Sequence, residues 1–165
     1  MIVLRSNDEI QLLRRAGALV AEVLLKIEEF VKPGVTTEEL DQLAEQLIRK
    51  AHGVPTFLGY RGFPKTLCTS LNEEIVHGIP SERVLREGDI ISLDFGAIFQ
   101  GFHGDAAITV GVGNISPEAQ LLIATTDGAL RAGIAAVRHG ARVVSQPGGE
   151  GKTRARLGAS GNPRS

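Results

Sequence analysis

The chain has 165 residues, enough for one domain with its own core, and its 42% hydrophobic content matches a soluble globular protein. With 18 basic against 19 acidic residues the formal charge is -1, so no strong field draws in nucleic acid or an anionic membrane, and partners must be argued from sites. Arg5, Asp8 and Glu9 break up the apolar N-terminus, no later run could span a bilayer, and the single cysteine, Cys68, excludes an intrachain disulfide, which together predict a cytoplasmic, reducing setting.

Ser6 followed by Glu9 has the spacing of a capping box and predicts a helix start. Ile10, Leu13, Val20, Val23, Leu24, Ile27 and Val31 continue one apolar stripe until Pro33-Gly34 stops it. Thr36 and Glu39 repeat the start signal for a second helix, with Leu40, Leu43, Leu47 and Ala51 as its stripe and His52-Gly53 as its end.

From Val54 to Pro64 the text turns to Pro, Gly and aromatics, which predicts a loop carrying aromatic side chains. Strand-like pieces are expected at Thr66 to Ser70 and at Glu74 to His77, closed by Gly78-Ile79-Pro80. Asp89 to Phe99 and Phe102 to Val112 each alternate with period two about Gln100-Gly101, the pattern of a β-hairpin. Ser116-Pro117 then opens a third helix with Leu121, Leu122, Ala129, Ile134 and Val137 on its face, and its text faintly repeats that of the first helix, hinting at a duplicated architecture.

Pairing the hairpin so that Phe99 faces Phe102 places Asp94 opposite Ala107. Asp94 and Asp105 then share a face on neighbouring strands, offset by a diagonal step of roughly 7–8 Å. Ile90, Ser92, Gly96, His103 and Thr109 share that face, and Ile91, Leu93, Phe95, Phe99, Phe102, Ile108 and Val110 form the core side. Two carboxylates held together on a rigid sheet need a proton or a cation between them, and hard oxygen donors suit divalent ions. Spacing alone leaves open that both are ordinary polar positions on a solvated face. His77, beside a tight Gly-Ile-Pro segment, could donate a hydrogen bond to a substrate or be structural, and Tyr60, Phe63 and Cys68 could line an apolar pocket or simply pack.

After Val144 the composition shifts to Gly, Arg, Pro and Ser with little to bury, so residues 144–165 are expected to form a separate, disordered tail. Gly151-Lys152-Thr153 within it is not a phosphate loop, because Gln146 stands where that pattern needs glycine.

Five spaced segments now resemble the type I methionine aminopeptidases: Phe57 to Pro64, Cys68 to Glu73, His77 to Pro80, Asp89 to Asp94 and Gly101 to Asp105, within a match from about Leu4 to Val143. The resemblance implies an α/β (α+β) pita-bread fold, with antiparallel sheet and outer helices in pseudo-twofold arrangement, of which residues 1–143 would form the N-terminal half of the catalytic domain. It implies a metal-dependent hydrolase that removes the initiator methionine from nascent proteins when the second residue is small. Asp94 and Asp105 would be metal ligands, with Asp105 bridging two divalent cations (Co, Mn, Fe, Zn or Ni), and His77 would contact the substrate near the scissile bond. Tyr60, Phe63 and Cys68 would line the pocket for the methionine side chain. The implied partners are a peptide or nascent N-terminus and the ribosome, with no nucleic acid and no membrane, for a cytoplasmic monomer.

The family completes its metal site with a His and two Glu, and places a second active-site His, beyond the segment that corresponds to Val143. None is recognisable here, and the text of residues 144–165 resembles an out-of-frame reading. A truncated or frameshifted copy with little activity of its own is therefore expected. The alternative from another class is a non-catalytic binding module on the same fold, although such a module has no chemical need for Asp94, Asp105 and His77.

Overall fold

The computed structural model describes residues 4–141. Two compact units divide between Ile115 and Ser116. The expected tail, 144–165, lies outside the described residues.

Helix α1 spans Asn7–Phe30. The capping box is present: Ser6 Oγ accepts from the Glu9 backbone N–H at 3.3 Å, and the Glu9 carboxylate accepts from the Ser6 N–H at 2.8 Å. Its buried face is Ala16, Val20, Val23, Leu24 and Ile27. Ile10 and Leu13, expected on that stripe, are partly exposed. Helix α2 spans Thr37–Lys50, with Thr36 and Glu39 in the same reciprocal arrangement. Its buried face is Thr37, Leu40, Asp41, Ala44 and Ile48, so the expected stripe is rotated: Leu43 and Leu47 only flank the core. The rotation brings Asp41 inward, where its carboxylate accepts from the backbone N–H groups of Thr66 and Leu67, both at 2.8 Å.

The sheet has four antiparallel strands: β1 (Val54–Pro55), β2 (Leu67–Leu71), β3 (Ile90–Phe99) and β4 (Phe102–Gly111). β3 pairs with each of the other three. The register of β3 and β4 is the expected one, Phe99 opposite Phe102 and Asp94 opposite Ala107. The turn is tight because Gln100 and Gly101 both take positive φ, 51° and 83°, matching the right-handed twist of the strands. Ile91, Leu93, Phe95 and Ala97 are completely buried and form one core with α1 and α2. Gly104 allows the helix to approach: a Cβ there would lie 2.6 Å from the Ala16 carbonyl oxygen.

Two expectations change between Val54 and Pro80. The presumed loop after Val54 contains the short strand β1 and a single 3-10 turn over Tyr60–Gly62. Glu74 to His77 is not a strand. The chain reverses at Asn72, whose φ is 50°, and the Glu74 N–H bonds to the Leu71 carbonyl, so the segment folds back as a loop. That loop returns to β2 at Gly78, where the Thr69 N–H donates to the Gly78 carbonyl and the Gly78 N–H donates to Ser70 Oγ.

In the second unit, helix α3 spans Pro117–Ala136, capped by the Ser116 hydroxyl, which accepts from the Ala119 N–H at 3.1 Å. Among the described residues no helix is long and apolar enough to cross a membrane.

Candidate active site

The face of β3 and β4 opposite the core lines a cleft of about 810 Å³ within the first unit. Period-two alternation decides what reaches it. With Ile91, Leu93 and Phe95 committed to the core, Asp94 must point the other way, and the pairing of Gly96 with Asp105 sets the second carboxylate one diagonal step along. The same alternation pairs Ser92 with Thr109 on this face, and their hydroxyls lie 2.7 Å apart.

All six residues singled out from the sequence, Tyr60, Phe63, Cys68, His77, Asp94 and Asp105, line this one cleft. Cys68 arrives on β2, directly opposite Asp94. His77 arrives on the loop that folds back at Gly78, where a Cβ would overlap the Thr69 carbonyl, so only glycine lets the loop lie flat against β2. His77 itself is exposed and holds φ at 61°, an uncommon conformation for a residue other than glycine. Phe63 meets Phe57 edge to face at 6.5 Å, forming an aromatic wall.

Electrostatics separates the carboxylates from the thiol. Burial, then the neighbouring charge of Asp105, raises the Asp94 pKa, with His77 opposing. Among the described residues neither aspartate has an ion-pair partner, so only the longer-range influence of His77 offsets their repulsion at Asp94. Cys68 is pushed up to about 11 by burial and by the charges of Asp94, Asp105 and Asp41, so it stands as a neutral thiol, suited to a pocket wall and unsuited to nucleophilic attack.

The donor set fits a hard cation in type. Two fixed, unpaired carboxylates on one face are what a divalent ion neutralises. In number the set is sparse: among the described residues no group of three or more His, Cys, Asp or Glu is arranged to hold a metal.

Sequence reasoning did not single out Thr56, Phe57, Arg61 or Ile79, which also line the cleft. The aromatic text at Phe57 was a usable signal. The placement of Arg61 and Ile79 depends on loop conformations that no periodicity encodes. His103 was placed on the correct face by alternation and lines the cleft beside Asp105.

Comparison with known proteins places the chain among its relatives. The chain is 54% identical over 127 residues to a methionine aminopeptidase of Clostridium acetobutylicum, covering 76% of this chain and 51% of that protein. It is 45% identical over 143 residues to methionine aminopeptidase 1 of Bacillus subtilis, covering 87% of this chain and 58% of that protein. The chain thus spans about half the length of the curated relatives it matches. The crystal structure of methionine aminopeptidase from Rickettsia prowazekii superposes with a TM-score of 0.93 at 35% identity, covering 95% of this chain and 63% of that one. The architecture is the α/β pita-bread class, over the part that this chain spans. Metallopeptidase family M24 matches residues 11–146, and with the hairpin register, the paired aspartates and these relatives in agreement, the chain belongs to that family.

Proposed function

We propose that this chain carries part of the catalytic machinery of a metal-dependent methionyl aminopeptidase, one that releases the initiator methionine when the following residue is small. The observation that carries the reading is the convergence of Asp94, Asp105, His77, Cys68, Tyr60 and Phe63 on a single cleft. The relatives named as methionine aminopeptidases support it.

In this proposal Asp94 and Asp105 are the residues that would hold divalent cations. Held there, such cations would supply Lewis acidity for peptide hydrolysis. The remaining work falls to the chain's own side chains. His77, exposed at the cleft edge, donates a hydrogen bond to the substrate near the scissile bond, where it can also stabilise developing negative charge. Tyr60, Phe63 and Cys68 form the wall against which an unbranched thioether side chain packs, with sulfur against aromatic edges. Phe57 extends that wall.

The proposed setting is a monomer in the cytoplasm, acting on nascent N-termini at the ribosome. Residues 1–143 form the catalytic part. With two carboxylates as the ligands that the described residues offer, metal binding by this chain alone is weak and turnover low.

The test is release of methionine from Met-Ala-Ser, measured with and without added divalent metal, beside a full-length relative. Slow release that needs metal and disappears in Asp105→Asn is the expected result. Release that persists after chelation would overturn the reading, as would an absence of both release and metal binding.

A further inference from the structure

The cleft carries charges of both signs. Strands β3 and β4 contribute the two aspartates, and the 3-10 turn contributes Arg61, the only Lys or Arg among its lining residues. We propose that Arg61 is a carboxylate-binding residue, which selects peptides that present a negative group beyond the bond to be cleaved. This rests on the peptidase reading above and deepens it.

Three observations bear on Arg61. Its backbone is held at φ 49° and ψ 31°, a conformation that costs energy for a residue other than glycine, inside a turn closed by hydrogen bonds from the Gly59 N–H to the Phe63 carbonyl (2.8 Å) and from the Phe63 N–H to the Tyr60 carbonyl (3.0 Å). The guanidinium carbon lies 5.5 Å from the centre of the Tyr60 ring, so the side chain rests on a residue that also lines the cleft. Among the described residues Arg61 has no carboxylate partner, so the fork of N–H donors facing solvent is available to a ligand. A planar fork matches a carboxylate in two-point contact. A free amino terminus directed toward the acidic floor leaves the downstream end of the peptide to meet this cation. The group it meets is either the terminal carboxylate of a short peptide or an acidic side chain of a longer one.

The chain provides its own readout. Tyr60 is its only tyrosine and there is no tryptophan, so intrinsic emission reports this cleft alone. Titrating the full chain in zinc-containing buffer with Met-Ala-Ser and with its C-terminal amide compares the terminal carboxylate with a neutral end, and Met-Ala-Glu-amide against Met-Ala-Gln-amide compares the acidic side chain. Binding tighter for the charged member of at least one pair, by roughly fivefold to tenfold, is expected. The difference should vanish in Arg61→Asn, chosen because asparagine accepts positive φ readily, and return in part in Arg61→Lys. Equal binding within both pairs, or a difference that survives in Arg61→Asn, overturns this proposal and leaves the peptidase reading standing. If no peptide alters Tyr60 emission, this proposal falls, and methionine release decides the peptidase reading separately.

Discussion

Cys68 on β2 lies directly across the strand pair from Asp94 on β3, so a thiol and a carboxylate share the floor of one cleft. Burial and that carboxylate, reinforced by Asp105 and Asp41, hold the thiol at about 11 against an ordinary value of 9.0. Alkylation of the native chain by iodoacetamide should therefore be slow at pH 8.5 and rise only near pH 11, and Asp94→Asn should move the rise to lower pH. The linkage runs in a definite direction. Because the folded value is raised, the contribution to stability is fully present below the unfolded value and is lost as pH climbs through 9 toward 11, by no more than about 3 kcal/mol. Rapid alkylation of folded protein at neutral pH would contradict this.

Asp94 should behave in opposite ways with and without metal. Its folded pKa is raised by burial and by Asp105, so in the metal-free chain the contribution of this one group is fully present below the unfolded carboxylate value and is lost as pH rises through the folded one. At neutral pH without metal, Asp94→Asn is expected to melt at a higher temperature than the parent. With manganese or zinc added, the parent should gain melting temperature and the variant should gain less.

Gly104 sits beneath α1, with the Ala16 carbonyl oxygen 2.6 Å and the Gly17 nitrogen 2.9 Å from where a Cβ would stand. Gly104→Ala must push the helix from the sheet, and a loss of about 1–3 kcal/mol is expected from denaturant unfolding. The neighbouring Asp105 should shift as well, so metal affinity should fall beyond what Gly17→Ala causes, since a Cβ on Gly17 meets nothing.

Asp41 is 5% exposed and caps the first backbone N–H groups of β2. Asp41→Ala would leave two buried donors without acceptors, at Thr66 and Leu67, and is expected to cost about 2–4 kcal/mol in urea unfolding. Asp41→Asn keeps one acceptor oxygen and should cost less.

At the hairpin turn, Gln100 holds φ at 51°, where asparagine is favoured. Gln100→Asn should raise stability by a few tenths to about 1 kcal/mol without altering metal affinity. A decrease would show that the Gln100 side chain has a role beyond the turn.

The parts legible in the sequence are those governed by local repetition. Both capping boxes, the hairpin register and the shared face of Asp94 and Asp105 follow from spacings within about ten residues, which is why they could be read directly. The rotation of α2 was not legible, because the inward side chain is Asp41, a charged residue whose burial depends on backbone donors 25 and 26 positions away. The fold-back of Glu74 to His77 was misread for a related reason. Ile75 and Val76 suggest a strand, but Asn72 adopts positive φ and binds Asp89 and Ile90 across 17 and 18 residues, turning the chain before pairing can begin. Arg61 is likewise invisible to periodicity, since it reaches the cleft on the 3-10 turn and not along a strand.

Both carboxylates belong to one unbroken ribbon of chain, β3, two turn residues and β4, and nothing from a distant segment is needed to bring them side by side. If the pair holds a cation as proposed, neutralising the two charges would reward the closing of that ribbon itself, and cation concentration would then act as a folding variable for this element.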